Sequence, residues 1–265
     1  MTTPSAYSLP HIYEIAFDWR DVPGECDFLI KEAERHLGHT VKSAMELACG
    51  PAFHVREMAR RGIVSHGMDL APEMVGYANQ QLRDQNLAGQ VFLGDMRNFA
   101  APQTYDVVYI LLVSFAHLLS NQDILDNLTC AANMLNPGGI YIISTAHPRD
   151  FYGDKPVSDN VETSWTSERE GVSVTTDWGG TSQQYDPLTE IDEVTISYTV
   201  TENGKTERHD CPEKLRRLSF QTLTALLRLN GRFAIANLLG DFDSAIPLTS
   251  AEESARMIVV ARKLD

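Results

Sequence analysis

Between Ser43 and Thr145, apolar runs of strand length alternate with amphipathic runs of helix length, and that rhythm restricts the fold more than any other feature. Ser43–Ala48 reads as a short strand ending at Cys49-Gly50-Pro51, and Val55, Met58 and Ala59 mark one face of a helix that stops near Gly62. Ile63–Asp69 is a second strand. It passes through Ala71-Pro72 into a helix from about Pro72 to Leu87, where proline sits in the first turn and loses no hydrogen bond. Val91–Leu93 makes a third strand, and the unbroken apolar run Val107–Val113 is what a parallel strand buried on both faces requires, so it predicts the sheet centre. A helix over Asn121–Leu135 is closed by Asn136-Pro137-Gly138-Gly139, and Ile140–Thr145 is a fifth strand. With a leading helix over Glu25–Leu37 stopped by Gly38, the pattern predicts a Rossmann-like, doubly wound α/β sheet.

After His147-Pro148 the texture changes to alternating Thr, Val, Trp and Tyr. Ser164–Arg169 and Val172–Trp178 around Gly171 predict one hairpin, and Glu190–Thr201 and Lys205–Cys211 around Asn203-Gly204 predict another, since both turn positions tolerate positive φ. Residues 151–213 are therefore expected to form an antiparallel β insertion, a lid on a core made of residues 1–150 and 214–265. The α/β rhythm resumes with a helix over Ser219–Leu229 and strands over Phe233–Leu238 and Met257–Ala261.

The longest apolar run falls far short of the roughly 20 residues that a spanning helix needs, and Met1–Pro10 lacks a basic start or an apolar middle. The expectation is a soluble, cytoplasmic protein. Its four cysteines have no paired spacing, so reduced thiols are expected and no metal site is read. A formal charge of −14 repels a polyanion, which argues against nucleic acid as partner; a homodimer is left open. Residues 151–213 alone carry 14 Asp/Glu against 4 Lys/Arg, a field that suits a cationic or amine acceptor and equally suits a solvated strand face.

Glu46-Leu47-Ala48-Cys49-Gly50-Pro51-Ala52 places small residues at alternate positions between a strand end and a helix. At the carboxyl edge of a doubly wound sheet such a turn admits a nucleotide-like ligand, because backbone can approach it and helix N–H groups face it. Asp69 ends the second strand, where a carboxylate can accept both hydroxyls of a ribose or cap the next helix. Gly94-Asp95-Met96 ends the third, where a carboxylate and a main-chain N–H can read an adenine or form an ordinary turn.

This order of motifs resembles the class I S-adenosylmethionine-dependent methyltransferases over nearly the whole chain. The resemblance implies that Glu46, Ala48, Cys49 and Gly50 lie around the methionine moiety, that Asp69 holds the ribose, and that Leu70, Met74, Gly94, Asp95, Met96 and Leu111 surround the adenosyl group. Tyr105-Asp106-Val107-Val108 and Leu135-Asn136-Pro137-Gly138-Gly139 match structural landmarks of that family. Ala48 and Ala52 stand where it usually has glycine, which also disfavours the pyrophosphate of a dinucleotide. The N-terminal run Tyr13–Arg20 is aromatic, and Tyr13, Trp19 and Arg20 are candidate lid contacts; packing against the first helix is the alternative for Phe17 and Trp19, and Arg20 is a partner for the cofactor carboxylate or for a surface salt bridge.

The implied function is methyl transfer from S-adenosylmethionine to a small-molecule acceptor, the cofactor's sulfonium needing chiefly a positioned nucleophile. His117 and His147, after the fourth and fifth strands, are the candidate bases. His147, Arg149, Trp165, Trp178 and Tyr185 are candidates for the acceptor pocket, each with a packing role as the alternative. NAD-dependent oxidoreduction and a non-catalytic S-adenosylmethionine-binding protein are the competing functions.

Overall fold

The computed structural model describes residues 5–152, 164–179 and 184–264. Parts of the expected insertion, residues 153–163 and 180–183, lie outside the described residues. In chain order the core comprises α1 (Pro10–Ala16), α2 (Val22–Leu37), β1 (Ser43–Leu47), α3 (Phe53–Arg60), β2 (Val64–Asp69), α4 (Pro72–Asp84), β3 (Gly89–Leu93), β4 (Tyr105–Ile110), α5 (Asn121–Met134) and β5 (Leu135–Ala146). The short α6 (Arg149–Tyr152) leads into β6 (Ser164–Arg169), β7 (Val172–Trp178), β8 (Gln184–Asp186), β9 (Ile191–Glu202) and β10 (Lys205–Arg216). The chain then returns through α7 (Phe220–Asn230), β11 (Phe233–Leu239) and β12 (Arg256–Lys263).

The first sheet has the order β11-β12-β5-β4-β1-β2-β3. Strands β1 to β5 pair in parallel, whereas β12 runs antiparallel to both β5 and β11. Alternate residues of the central strands feed two cores, as a strand covered on both faces demands. Met45, Leu47, Val108, Ile110, Tyr141 and Ile143 pack with α5 and α7. Ala44, Val107, Tyr109, Ile140 and Ile142 pack with α2 and α3. The chain reverses between these layers, so β1 leaves toward one face and β4 toward the other. A crevice opens at the carboxyl ends of the strands between them.

The second sheet, β10-β9-β7-β6 with β8 paired to β9, is antiparallel throughout. Its inner face packs on the N-terminal segment rather than on the parallel sheet: Val174, Ile196, Tyr198 and Cys211 share one apolar cluster with Ala6, Tyr13, Ile15 and Phe17. Among the described residues, no helix is long and apolar enough to cross a membrane.

Several boundaries differ from expectation for local physical reasons. The apolar run Val107–Val113 does not stay extended: β4 stops at Ile110, and Leu112 and Val113 take positive φ of 51° and 59°. The run remains apolar because a tight turn there carries Phe115 and Ala116 back into the core. Asn136-Pro137-Gly138-Gly139 is not a free turn but a bulge inside β5, with Gly138 at φ 69° and a register shift opposite Tyr105–Val107. The N-terminal run holds a helix that the apolar periodicity did not reveal: α1 is only seven residues long, and Pro10 at its first position is the one local cue.

Candidate cofactor and acceptor site

Ala48, Gly50 and Ala52 all take left-handed backbone, with φ of 52°, 53° and 64°. The two alanines thus occupy conformations that suit glycine, at a cost of about 1–2 kcal/mol each, held by the strand and helix on either side. The bend points the Gly50 N–H at Asp69, whose Oδ2 accepts it at 2.8 Å while Oδ1 accepts from the Ala71 N–H at 2.9 Å. Above Gly50 the backbone is bare. The nearest atom that a Cβ there would meet is Cε1 of Tyr13, at 3.8 Å, so the Tyr13 ring roofs the bend across a gap.

Asp69 is buried at the end of β2, and burial pushes its carboxyl up against the amide donors of Ala71 and Gly50. Two oxygens with four lone-pair sites and two N–H donors leave capacity for two further hydroxyl donors. Glu46, at the end of neighbouring β1, has Oε1 within 3.2 Å of His54 Nδ1, while its Oε2 is buried with no partner among the described residues. His54 Nε2 meets Glu25 at 2.8 Å, and Arg20 pairs with the same Glu25 carboxylate. Burial works against a charged His54 ring, but Glu46 and Glu25 outweigh it and raise its proton affinity. His54 and Arg20 in turn hold the Glu25 carboxyl low against its own burial. Here Arg20, Glu46, Asp69 and the glycine bend converge on the space under Tyr13. An orphan carboxylate oxygen, a buried guanidinium and a strand-end aspartate match the ammonium, carboxylate and ribose of S-adenosylmethionine. The residues fit that group.

The remaining candidates divide. Leu70 is 69% exposed at the crevice mouth, an apolar surface open to a flat ring, whereas Met74 is wholly buried behind it. Met96 packs part-buried against the α5 side of the core, and its carbonyl accepts from Asn127. Leu111 is buried directly past β4. Asp95 is engaged by Arg97, which donates from its backbone at 2.9 Å and clamps the carboxylate with its guanidinium at 2.6–3.0 Å. Arg97 holds the Asp95 carboxyl below its usual range, and that exposed clamp must open before the aspartate can read an exocyclic amine. Gly94 is small for packing: a Cβ there would stand 2.5 Å from the Phe99 ring.

The two histidines have separate tasks. His147 Nε2 bonds the Thr249 carbonyl at 2.9 Å and its Nδ1 accepts from the Arg149 N–H at 3.0 Å. Both nitrogens are spent, and Arg149 in turn donates to the carbonyls of Ser250, Ala251 and Ser254. The pair that seemed placed for catalysis and acceptor binding therefore pins the loop before β12. His117 instead lies 2.7 Å from the Tyr7 hydroxyl, and burial pushes its ring down to about 4, so it is neutral near pH 7. Trp165 and Trp178 stack on each other and edge onto Phe17, with Trp165 Nε1 bonded to the Ala16 carbonyl; they grip α1 as a packing face. Tyr185 lies under the Arg217 guanidinium at 4.2 Å. Trp19 is 57% exposed.

Sequence reasoning missed Tyr7, Glu14, His54, Tyr198 and Glu213; Glu14 and His54 lie in or beside segments it singled out, but no spacing marks their partners. Glu14 is the tie between layers: Arg56 of α3, Tyr77 of α4 and Arg169 of β6 all donate to its buried carboxylate. Among the described residues, no group of three or more His, Cys, Asp or Glu could hold a metal. A cavity of about 540 Å³ lies beside α5, lined by Phe99, Cys130 and Met134 among others, and shares no residue with the strand-end cluster.

Comparison with known proteins bears on the fold. Residues 44–139 match the methyltransferase domain family. A dTDP-3-amino-3,4,6-trideoxy-α-D-glucopyranose N,N-dimethyltransferase of Streptomyces venezuelae is 24% identical over 119 residues, 45% of this chain and 48% of the relative, so the match spans about half of that protein's length. An S-adenosylmethionine-dependent methyltransferase from Clostridium acetobutylicum superposes with a TM-score of 0.78 at 17% identity, covering 96% of this chain and 97% of the other. An amino-pentose methyltransferase from Micromonospora echinaspora, solved with S-adenosylmethionine bound, gives 0.71 at 16% identity over 95% and 96% of the two chains. Residues 44–139 are thus similar to the methyltransferase domain family, and over 96% of its length the chain has the fold of the class I S-adenosylmethionine-dependent methyltransferases.

Proposed function

We propose that the protein transfers a methyl group from S-adenosylmethionine to an amino group of a small molecule. One observation carries the reading: Arg20, Glu46, Asp69 and the bare Gly50 backbone converge under the Tyr13 ring at the carboxyl ends of adjacent strands. Asp69 would accept the ribose hydroxyls, the exposed Leu70 would lie against the adenine, Arg20 would face the carboxylate, and the free Glu46 oxygen would take the ammonium. The bound cofactor supplies an electrophilic methyl on sulfur. The protein's own contribution is placement, with the Tyr13 roof excluding water and the lid holding an acceptor in line.

The amine follows from the relatives, which act on amino sugars, and from the acidic lid above the site. We read residues 164–216 as the acceptor lid and the cytoplasm as the location, which suits four free, buried thiols. Calorimetry with S-adenosylmethionine and with NAD tests the cofactor. Mass-resolved assays with dTDP-3-amino-3,4,6-trideoxy-α-D-glucopyranose and a panel of small amines test the reaction. Binding of NAD alone refutes the reading, and cofactor binding without turnover on any amine favours a non-catalytic binding protein.

A further inference from the structure

The inner face of the lid carries polar groups that its own packing does not use. Thr176 of β7 stands opposite Tyr198 of β9, and Val194 of β9 stands opposite Glu213 of β10, so all four project from the same face of the antiparallel sheet. Tyr198 is wholly buried, as is Thr176, and neither hydroxyl has a hydrogen-bond partner among the described residues. Unpaired buried hydroxyls on one face are destabilising unless something else bonds them. Glu213 uses Oε1 to accept from the Ser5 hydroxyl at 2.9 Å and the Ala6 N–H at 3.3 Å; no described residue bonds its Oε2.

Tyr198 packs in one apolar cluster with Tyr13, which roofs Gly50, and Glu213 bonds Ser5 and Ala6 of the segment that leads to that ring. Burial, then the charges of Tyr13, Glu213, Tyr198 and Asp69, raise the Tyr7 hydroxyl, and burial with Tyr13, Cys211 and Glu213 raises Tyr198. Tyr7 and Tyr198 therefore both sense Tyr13 on the cofactor side and Glu213 on the lid side. His117 closes the floor through its bond to Tyr7, and its low proton affinity makes it a poor taker of protons. Burial pushes the Glu213 carboxyl up, despite the donors from Ser5 and Ala6, which makes it the readier proton acceptor of the two.

We propose that Glu213, assisted by the Tyr198 hydroxyl, anchors the acceptor's amino group and takes the proton that an ammonium must lose before its nitrogen can attack. This rests on the methyl-transfer reading above. An ammonium gives one proton to Glu213, and the freed lone pair forms the new N–C bond as the electrons of the broken C–S bond stay on sulfur. The proton leaves Glu213 for solvent when the methylated ammonium departs.

The test uses the full chain saturated with S-adenosylhomocysteine, titrated in a calorimeter with a dTDP-3-amino-3-deoxyhexose and with its 3-hydroxy counterpart. The unmodified protein should prefer the amine by about 10-fold or more, the strength of a hydrogen bond to a charged group. Glu213→Gln keeps the contacts to Ser5 and Ala6 and should abolish that preference while holding S-adenosylhomocysteine within about 2-fold; Tyr198→Phe should weaken the amine by a smaller factor. Methyl transfer by Glu213→Asp, measured against pH, should partly recover what Glu213→Gln loses. If the unmodified protein does not distinguish the probes, or Glu213→Gln still does, the anchor is wrong. If S-adenosylhomocysteine itself fails to bind, the methyl-transfer reading falls, and this inference with it.

Discussion

Replacing Glu14 by alanine removes the carboxylate to which three structural layers donate. Arg56 suffers most: its side chain is 9% exposed, and without Glu14 its guanidinium is an uncompensated buried charge. Breaking a buried pair in this way costs about 3–5 kcal/mol. Arg169, at 27% exposure, relaxes into water at little cost, and the Tyr77 hydroxyl loses an acceptor for roughly 1 kcal/mol. A total of about 4–6 kcal/mol lowers the melting temperature by roughly 8–24 °C, at about 2–4 °C per kcal/mol for a chain of this size. Glu14→Gln keeps an acceptor and should show about half the effect. Burial opposes the Glu14 charge, but Tyr77, Arg169 and Arg56 outweigh it and set its carboxyl below the ordinary 4.5. Its contribution is therefore full above that value and is lost as pH falls through the lower folded value. Thermal melts of both variants against the unmodified chain between pH 7 and pH 3 measure this, and the difference should narrow at the acid end. A fall of under about 3 °C for Glu14→Ala at pH 7 would refute the idea that this carboxylate joins the layers.

Asp69→Asn should weaken S-adenosylmethionine by about 10-fold or more in calorimetry, as hydrogen bonds from the ribose to a charge are lost, and an unchanged affinity would remove Asp69 from the cofactor. Since the folded His117 ring refuses a proton until about pH 4 while an unfolded one takes it near 6.5, stability should drop between those values as pH falls. Differential scanning calorimetry of His117→Gln should show a flatter melting temperature across that window. His147→Ala should cost about 1–3 kcal/mol through the untied 249–254 loop and leave methyl transfer intact; a large loss of kcat with an unchanged melting point would return it to catalysis.

The parallel sheet was legible because buried strands and amphipathic helices carry different periods, and because the carboxylates Glu46, Asp69 and Asp95 fall at strand ends in the right order. Convergence was harder to read. Arg20 reaches its place through Glu25 and His54, and nothing in the spacing of those three residues announces a shared network. A histidine after a strand looks identical in sequence whether its ring nitrogens are free or engaged, and the partner of His147 Nε2, the Thr249 carbonyl, is a hundred residues away in the chain. Glu213 was hidden for the opposite reason: in an acidic strand it looks like one more solvated charge, and only the pairing of β9 with β10 turns it inward beside Val194.

The slot filled by β12 has a bearing on how the chain is made. Met257, Val259 and Ala261 belong to one core and Ile258 and Val260 to the other, so β12, which follows every other strand of the sheet in the chain, is a wedge shared by both. Until residue 263 leaves the ribosome, β5 has an open edge, β11 has no neighbour, and neither apolar layer is complete. The hairpins of the lid need no such late arrival. Both apolar layers of the parallel sheet are therefore completed only after the strands of the lid have been made.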